Sequence, residues 1–500
     1  MTAVRGPLTA RLNGRCAVLL GELSPGPAHD RVSAVREGLD DPLRLAVAGR
    51  LKAGKSTLVN ALLGRRIAAT DVGECTQLVT VFRYGFPERV VVQPHDGAPE
   101  ARPLTVDGHL PKGLGVTPQD TASVTVTLSN QALVDLVLVD TPGLASATEV
   151  ASAATRRYLA IDPVAIDRAS RDAVSGVETL IYVLSRSPRD DDRQALGAFR
   201  ELSGQTGASA ATCVAVLGRA DEIGGGGPTS AMDPLAAATR LAEEHAETLR
   251  GLVSDVVPVA GLWAETARAG ALTEAEAGAL GVMARESGRP DLLASVRRFA
   301  NMPSAVGPDQ REHLLGLLGL RGVEIALAYI DAGCTGAAAL AAELTRVSGI
   351  GRLRESLDGL RDRADTLKAQ WGLTQLDKVP LSVPEAEKLR DAAEELRYEP
   401  AMERLNVLAA SQLLATGVRL PGALADEVLR MATAAEPATR LGLPAGASAE
   451  ELQRAATAAA ERWLAYAVDQ PRTGPDQERV ARLMYRSLAH LHMHVTGAYL

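Results

Sequence analysis

Hydrophobic positions along this chain obey one period in its first half and another in its second. Leu43 to Ala48 is a short apolar run that reads as a buried strand. Leu58, Val59, Ala61, Leu62 and Leu63, a few residues on, take the apolar positions of a helix. Strand-like runs recur at Gln77–Tyr84, Arg89–Gln93, Ser123–Leu128, Val134–Val139, Thr179–Leu184, Thr212–Leu217 and Val256–Val259. Helical segments fall between several of them, and Pro94 to Pro118 is rich in Pro and Gly. Strands alternating with helices over 43–264 predict an α/β domain with a mainly parallel sheet and helices on both faces.

Outside that span the pattern is helical. Residues 1–42 read as two helical pieces interrupted at Ser24-Pro25-Gly26-Pro27. From 265 onward no convincing strand remains. Segments 271–286, 290–301, 308–332, 335–347, 350–370, 383–395, 399–415, 423–435, 448–466 and 475–496 read as helices, predicting an all-α bundle over 265–500. Breaks fall at Pro380, Pro384, Pro421, Pro444 and Pro471. Leu353, Leu357, Leu360, Ala364 and Leu367 recur at helical spacing, the mark of an amphipathic bundle helix.

The join between the first strand and its helix carries the chemistry. Gly49 to Ser56 fits G-x-x-x-x-G-K-[ST], in the strand-to-helix context that makes the pattern a phosphate cradle. Gly49 and Gly54 permit the tight turn, and the amides from Ala53 to Thr57 at the helix N-terminus face an anion. Lys55 reaches the β- and γ-phosphates and Ser56 holds Mg²⁺. The whole chain has six lysines, and two of them, Lys52 and Lys55, lie in this loop. An acidic residue at a later strand end, Asp140 in Asp140-Thr141-Pro142-Gly143, is placed to hold Mg²⁺ through water, with the Gly143 amide on the γ-phosphate. Thr76, in the polar segment 70–76 between these elements, is the candidate to ligate Mg²⁺ and position water.

Base selection rests on Gly218-Arg219-Ala220-Asp221. Asp221 can accept from guanine N1–H and its exocyclic amine, and the planar Arg219 can stack on the base. Gly218 stands where Asn or Thr is usual, and an ordinary turn acid remains the alternative for Asp221. Val257-Pro258-Val259-Ala260-Gly261 occupies the place of the last base-contacting loop.

Composition narrows the classes. Five hundred residues predict roughly two to four domains. A net charge of -8 argues against a nucleic-acid partner, which needs a basic face. Four dispersed cysteines imply neither a disulfide framework nor a zinc site and fit a reducing cytoplasm. No signal peptide is evident, and no stretch reaches the ~18 uninterrupted apolar residues of a membrane span. His313 to Ile330 is the most apolar region outside 43–264; it reads as a buried helix or, alternatively, a membrane contact. Leu414 to Pro421 is a second, thinner membrane candidate. His490, His492 and His494 read as surface histidines, with a soft-metal site as the alternative.

Together, Gly49–Leu62, Glu74-Cys75-Thr76, Asp140–Gly143, Arg219–Gly224, Val257–Leu262 and Ala339–Arg354 resemble bacterial dynamin-like proteins. Within them the resemblance is to the actinobacterial isoniazid-inducible, IniC-type branch. It covers most of 43–370 and thins toward the C-terminus. The resemblance implies a dynamin-type GTPase head over 43–264, using GTP/GDP and Mg²⁺. It also implies a neck and trunk over 265–500 to which helices 1–42 contribute, a homodimer through the heads or a dynamin-like hetero-partner, and peripheral action at the cytoplasmic membrane face. No Gln follows Gly143, since Leu144-Ala145-Ser146 stands there. Lys52 is then the candidate to supply cis charge at the β–γ bridge, a role this loop position takes in dynamin-like families; a solvated loop lysine is the alternative. The competing function is a nucleotide-gated scaffold with little turnover, working through a partner. A ribosome-associated GTPase is the third reading, disfavoured because no basic module follows the head.

Overall fold

A computed structural model describes residues 6–50, 52–68, 78–94, 96–105, 108–110, 120–141, 177–186, 192–193, 196, 209, 211–224, 234–468 and 474–496. Among the described residues nine strands form one sheet: β1 (Leu43–Gly49), β2 (Thr80–Tyr84), β3 (Arg89–Pro94), β4 (Glu100–Pro103), β5 (Thr121–Leu128), β6 (Leu136–Asp140), β7 (Thr179–Leu184), β8 (Cys213–Leu217) and β9 (Val256–Pro258). Their order is β4-β3-β5-β2-β6-β1-β7-β8-β9. The run β6-β1-β7-β8-β9 is parallel throughout. β2 joins β6 antiparallel, and β3 pairs antiparallel with both β4 and β5, so the sheet is mixed. β4 lies in the stretch whose Pro and Gly content predicts only loop; it is a short edge strand with mostly exposed residues.

The helices in chain order are α1 (Pro7–Glu22), α2 (Pro27–Gly38), α3 (Lys55–Leu63), α4 (Ala236–Thr248), α5 (Gly261–Arg268), α6 (Glu274–Ala284), α7 (Arg289–Leu292), α8 (Val296–Asn301) and α9 (Pro308–Asp331). They continue with α10 (Ala337–Val347), α11 (Ile350–Asp362), α12 (Ala364–Asp377), α13 (Ala386–Tyr398), α14 (Glu403–Ala415), α15 (Gly422–Thr433), α16 (Pro437–Arg440), α17 (Ala449–Val468) and α18 (Pro475–Thr496).

Packing crosses residue 264 without a break. Leu280, Met283, Phe299, Leu314, Leu318, Leu340 and Leu344 share a core with Tyr182, Leu184 and Leu217 of the sheet. The apolar helix α9 belongs to that core. It is long and apolar enough to cross a membrane, yet Leu314, Leu317, Leu318, Val323, Ile325 and Leu327 are buried within the protein. Gly319, with non-helical φ 66° and ψ 169°, kinks it. The carbonyls of Leu317 and Leu318 next to the kink accept from Thr266 Oγ1 (2.5 Å) and Trp263 Nε1 (3.0 Å) of α5.

Three expectations need correction. The single helix over 290–301 is α7 and α8, parted at 293–295. The single amphipathic helix over 350–370 is α11 and α12, parted at Arg363, and Leu353, Leu357 and Leu360 pack against the other face of the sheet with Leu45, Val47 and Leu58. His492 is buried, not a surface histidine.

The N-terminal helices α1 and α2 make a third core with α12 and α13. Leu12, Leu19, Val32 and Val35 pack with Leu373, Leu376, Leu389 and Leu396. A fourth core joins α14 and α15 to α17 and α18 through Val428, Met431, Trp463, Met484 and Leu488.

Candidate functional site

The carboxyl ends of the parallel strands converge, the usual place for a ligand in an α/β sheet. β1 ends at Gly49, whose φ of 147° and approach to β7 leave no room for a side chain: a Cβ there would stand 2.4 Å from the Val183 carbonyl oxygen. The loop closes through Gly54, left-handed at φ 97°, into α3. Lys55 is buried and its Nζ donates to the carbonyls of Gly49 (3.1 Å) and Arg50 (2.8 Å). Burial pulls its pKa down, opposed by the charge of Asp140. Lys52 stands exposed on the loop with φ 62°, a conformation L side chains rarely adopt and one that marks functional loops.

Asp140 ends β6 in register with Val47 of β1. Ser56 Oγ donates to its Oδ2 at 3.2 Å, while Oδ1 is buried and has no partner among the described residues. Burial pushes the carboxyl up to about 6, against the opposing pull of Lys55 and Ser56. A buried carboxylate oxygen left open beside a serine hydroxyl fits a hydrated divalent cation. Thr76 and Gly143 lie outside the described residues.

Next to the phosphate loop is a cavity of about 220 Å³, lined by Ala53, Gly54 and Thr57 together with Gly218, Arg219, Asp221 and Gly261. Phosphate-loop and base-loop residues thus share one pocket. Burial raises the pKa of Asp221. Arg219, left-handed at φ 52°, pairs with Glu222 at 3.2 Å. The missing Asn or Thr at 218 has a steric cause: a Cβ there would meet the Ala53 carbonyl oxygen at 2.5 Å. Ala260 donates its N–H to the Ser348 carbonyl at 2.9 Å, and Gly349 (φ 80°) sits so close that a Cβ would touch the Pro258 carbonyl. The turn between α10 and α11 therefore holds the last base loop.

Two braces escape a reading of motifs. Arg50 Nε donates to Asp192 Oδ1 (3.1 Å), which also accepts from the Tyr182 hydroxyl (2.8 Å) behind the cradle. A lone Tyr in the otherwise aliphatic β7 was the available signal. Asn60 of α3 accepts from the amides of Ile67 and Ala68 (2.9 and 2.7 Å) and donates to Glu265 of α5 (3.0 Å). It ties the chain just before residue 69 to the helix that follows the base loop.

This geometry defines a phosphate-loop nucleotide-binding head carrying a helical superstructure. A family model described as the Dynamin family matches residues 45–166. Isoniazid-induced protein IniC of Mycobacterium tuberculosis is 33% identical over 477 residues, covering 92% of this chain and 91% of its own. A bacterial dynamin-like protein of Nostoc punctiforme is 46% identical over 54 residues, which are 11% of this chain and 8% of that one. A solved chain described under "An oligomerised bacterial dynamin pair provides a mechanism for the long-range sensing and tethering of membranes" superposes with a TM-score of 0.31 at 16% identity, over 84% of this chain and 70% of that one. A likeness at that score carries no argument. The chain belongs to the dynamin family, in its bacterial dynamin-like, IniC-type branch. That family binds GTP and GDP and, in general, hydrolyses GTP.

Proposed function

We propose that this protein binds GTP with Mg²⁺, hydrolyses it to GDP and phosphate, and acts peripherally at the cytoplasmic face of the membrane. The observation that carries the nucleotide half is the open, buried Asp140 Oδ1 facing Ser56 beside a buried Lys55. Ser56, Thr76 and Asp140 would hold the cation, which when bound neutralises charge on the β- and γ-phosphates. The residues assigned to the nucleotide are Gly49, Lys52, Ala53, Gly54, Lys55, Ser56, Thr57, Thr76, Asp140, Gly143, Arg219, Asp221 and Ala260. Lys52 supplies charge at the β–γ bridge and Thr76 positions water.

In this reading 43–264 is the GTPase head, 265–500 the neck and trunk, and 1–42 part of that trunk. Heads pair with each other or with a dynamin-like partner. Membrane action rests on family membership alone. Phosphate release is measured with GTP and with ATP, each with and without anionic liposomes. GTP-selective, Mg²⁺-dependent turnover is the expected result, and its absence at every condition refutes the enzyme. One observation favours the scaffold reading. The close approach at Gly218 removes a side chain that usually supports the base-reading acid, so GTP binding without turnover is that reading's signature.

A further inference from the structure

The helical half holds a cleft whose chemistry the nucleotide head does not explain. Two adjoining cavities, of about 820 and 550 Å³, share Asp377, Arg397, Asn406, Arg479 and Leu483 as walls. They lie among α12, α13, α14 and α18, and the larger has the size of a small-molecule site. Six cationic side chains line them against two carboxylates, Asp377 and Glu394, in a chain whose net charge is -8. Five of the six are arginines, at 390, 397, 479, 482 and 486.

Local pairing uses up part of that charge. Arg397 pairs with Asp377, and Arg482 with Glu478 one turn earlier on α18. The Arg486 guanidinium stacks 4.9 Å from the Tyr398 ring centroid, which orients it without neutralising it. Arg390 donates one Nη2 to the Val379 carbonyl at 3.0 Å, while its buried Nε has no acceptor. Asn406, only 7% exposed, lines both cavities, and its buried Nδ2 has no acceptor either. Buried donors are nearly always matched in folded proteins. Here two line the smaller cavity, beside Arg397, Arg479, Arg482 and Arg486 and against the two carboxylates. What completes such a wall is an acceptor-rich anion, and guanidinium forks match the oxygens of phosphate.

We propose that this cleft is a second anion site, apart from the nucleotide cradle, which takes a phosphate-bearing ligand on Arg390, Arg397, Arg479 and Asn406. Its phosphate belongs to a soluble phosphorylated compound or to a phospholipid headgroup. The full chain, saturated with GDP and Mg²⁺ so that the cradle is filled, is titrated calorimetrically with fructose 1,6-bisphosphate as a two-phosphate probe. It is sedimented in parallel with phosphatidylglycerol and phosphatidylcholine vesicles. A dissociation constant below ~1 mM is expected at low salt. Arg479→Glu, at an exposed position, weakens it at least tenfold, as does Arg390→Gln. Arg240→Glu on α4, an equal change of charge at an exposed site elsewhere, leaves it within twofold. Thermal melts of all three variants establish that they fold. Arg479-dependent binding of the probe alone assigns a soluble ligand; Arg479-dependent sedimentation with phosphatidylglycerol assigns a headgroup. Binding of neither, or equal weakening by Arg479→Glu and Arg240→Glu, overturns the site.

Discussion

The cradle and the contact of α12 with the sheet both bury lysines against acids, by opposite means. In the cradle Lys55 and Asp140 are brought together by two parallel strands and a glycine turn, and Asp140 Oδ1 has no partner among the described residues. Where α12 meets the sheet, Lys368 lies 2.6 Å from Glu178, both nearly inaccessible, and Glu178 also accepts the Arg44 amide of β1 at 2.7 Å. There each charge has its counter-ion at contact distance, Lys368 also donating to the Gly38 carbonyl at 3.3 Å, although the angle at Glu178 Oε1 falls short of a hydrogen bond. An incomplete charge cluster is one waiting for a ligand, and a complete one holds structure.

The largest effect should come from opening that buried ion pair. Lys368→Met strands the Glu178 carboxylate in the interior and is expected to destabilise by ~3–5 kcal/mol. Lys368→Met with Glu178→Leu should recover most of that. Urea midpoints of the three proteins measure it, and a single variant as stable as wild type would mean that water reaches this carboxylate.

The cradle should respond in the opposite direction. Asp140 titrates near 3.8 in the unfolded chain and at about 6 in the fold. The fold therefore holds the proton more tightly, and ionised Asp140 costs stability as pH rises from ~4 through ~6 and remains a cost above that. Without nucleotide, Asp140→Asn is expected to be more stable at pH 7.5 by up to ~3 kcal/mol, a gain that fades below pH ~4. The same variant should lose Mg²⁺-dependent nucleotide binding. A destabilised Asp140→Asn would show the carboxylate to be structural.

Within the cradle the two lysines separate binding from turnover. Lys55→Ala should lower both GTP affinity and turnover by ~100-fold, while Lys52→Ala lowers turnover by ~100-fold with affinity within ~3-fold. Equal losses in both quantities for Lys52→Ala would remove its cis-charge role.

The same contrast explains what could be read from sequence. Gly49, Lys55, Ser56 and Asp140 sit at spacings set by one turn and one strand end, so local pattern suffices for the cradle. Strand positions in 43–264 follow for the same reason, and β4 escapes because an exposed edge strand needs no apolar run. Ser348 and Gly349 contact the base loop from some 90 residues away, and nothing near them carries that signal. The break at Arg363 is equally hidden, since the apolar spacing runs straight through it: Leu360 and Leu367, on either side, pack into the same core before α12 passes to the next at Leu373.

The smallest expected effect tests the longest connection. Asp365, at the start of α12, accepts the amides of Leu8 and Thr9 (both 2.9 Å) and the Thr9 hydroxyl (2.7 Å). It thereby caps α1 from a point more than 350 residues away in sequence, and Gly6 makes room, since a Cβ there would overlap the carboxyl. A lost helix cap costs ~1–2 kcal/mol. Asp365→Ala should therefore speed amide exchange across α1 and α2 while leaving exchange in β1 and the affinity for GTP unchanged. Its side chain touches no cradle residue, so a change in GTP affinity would mean that the joint between α1 and α12 sets the head's conformation as well.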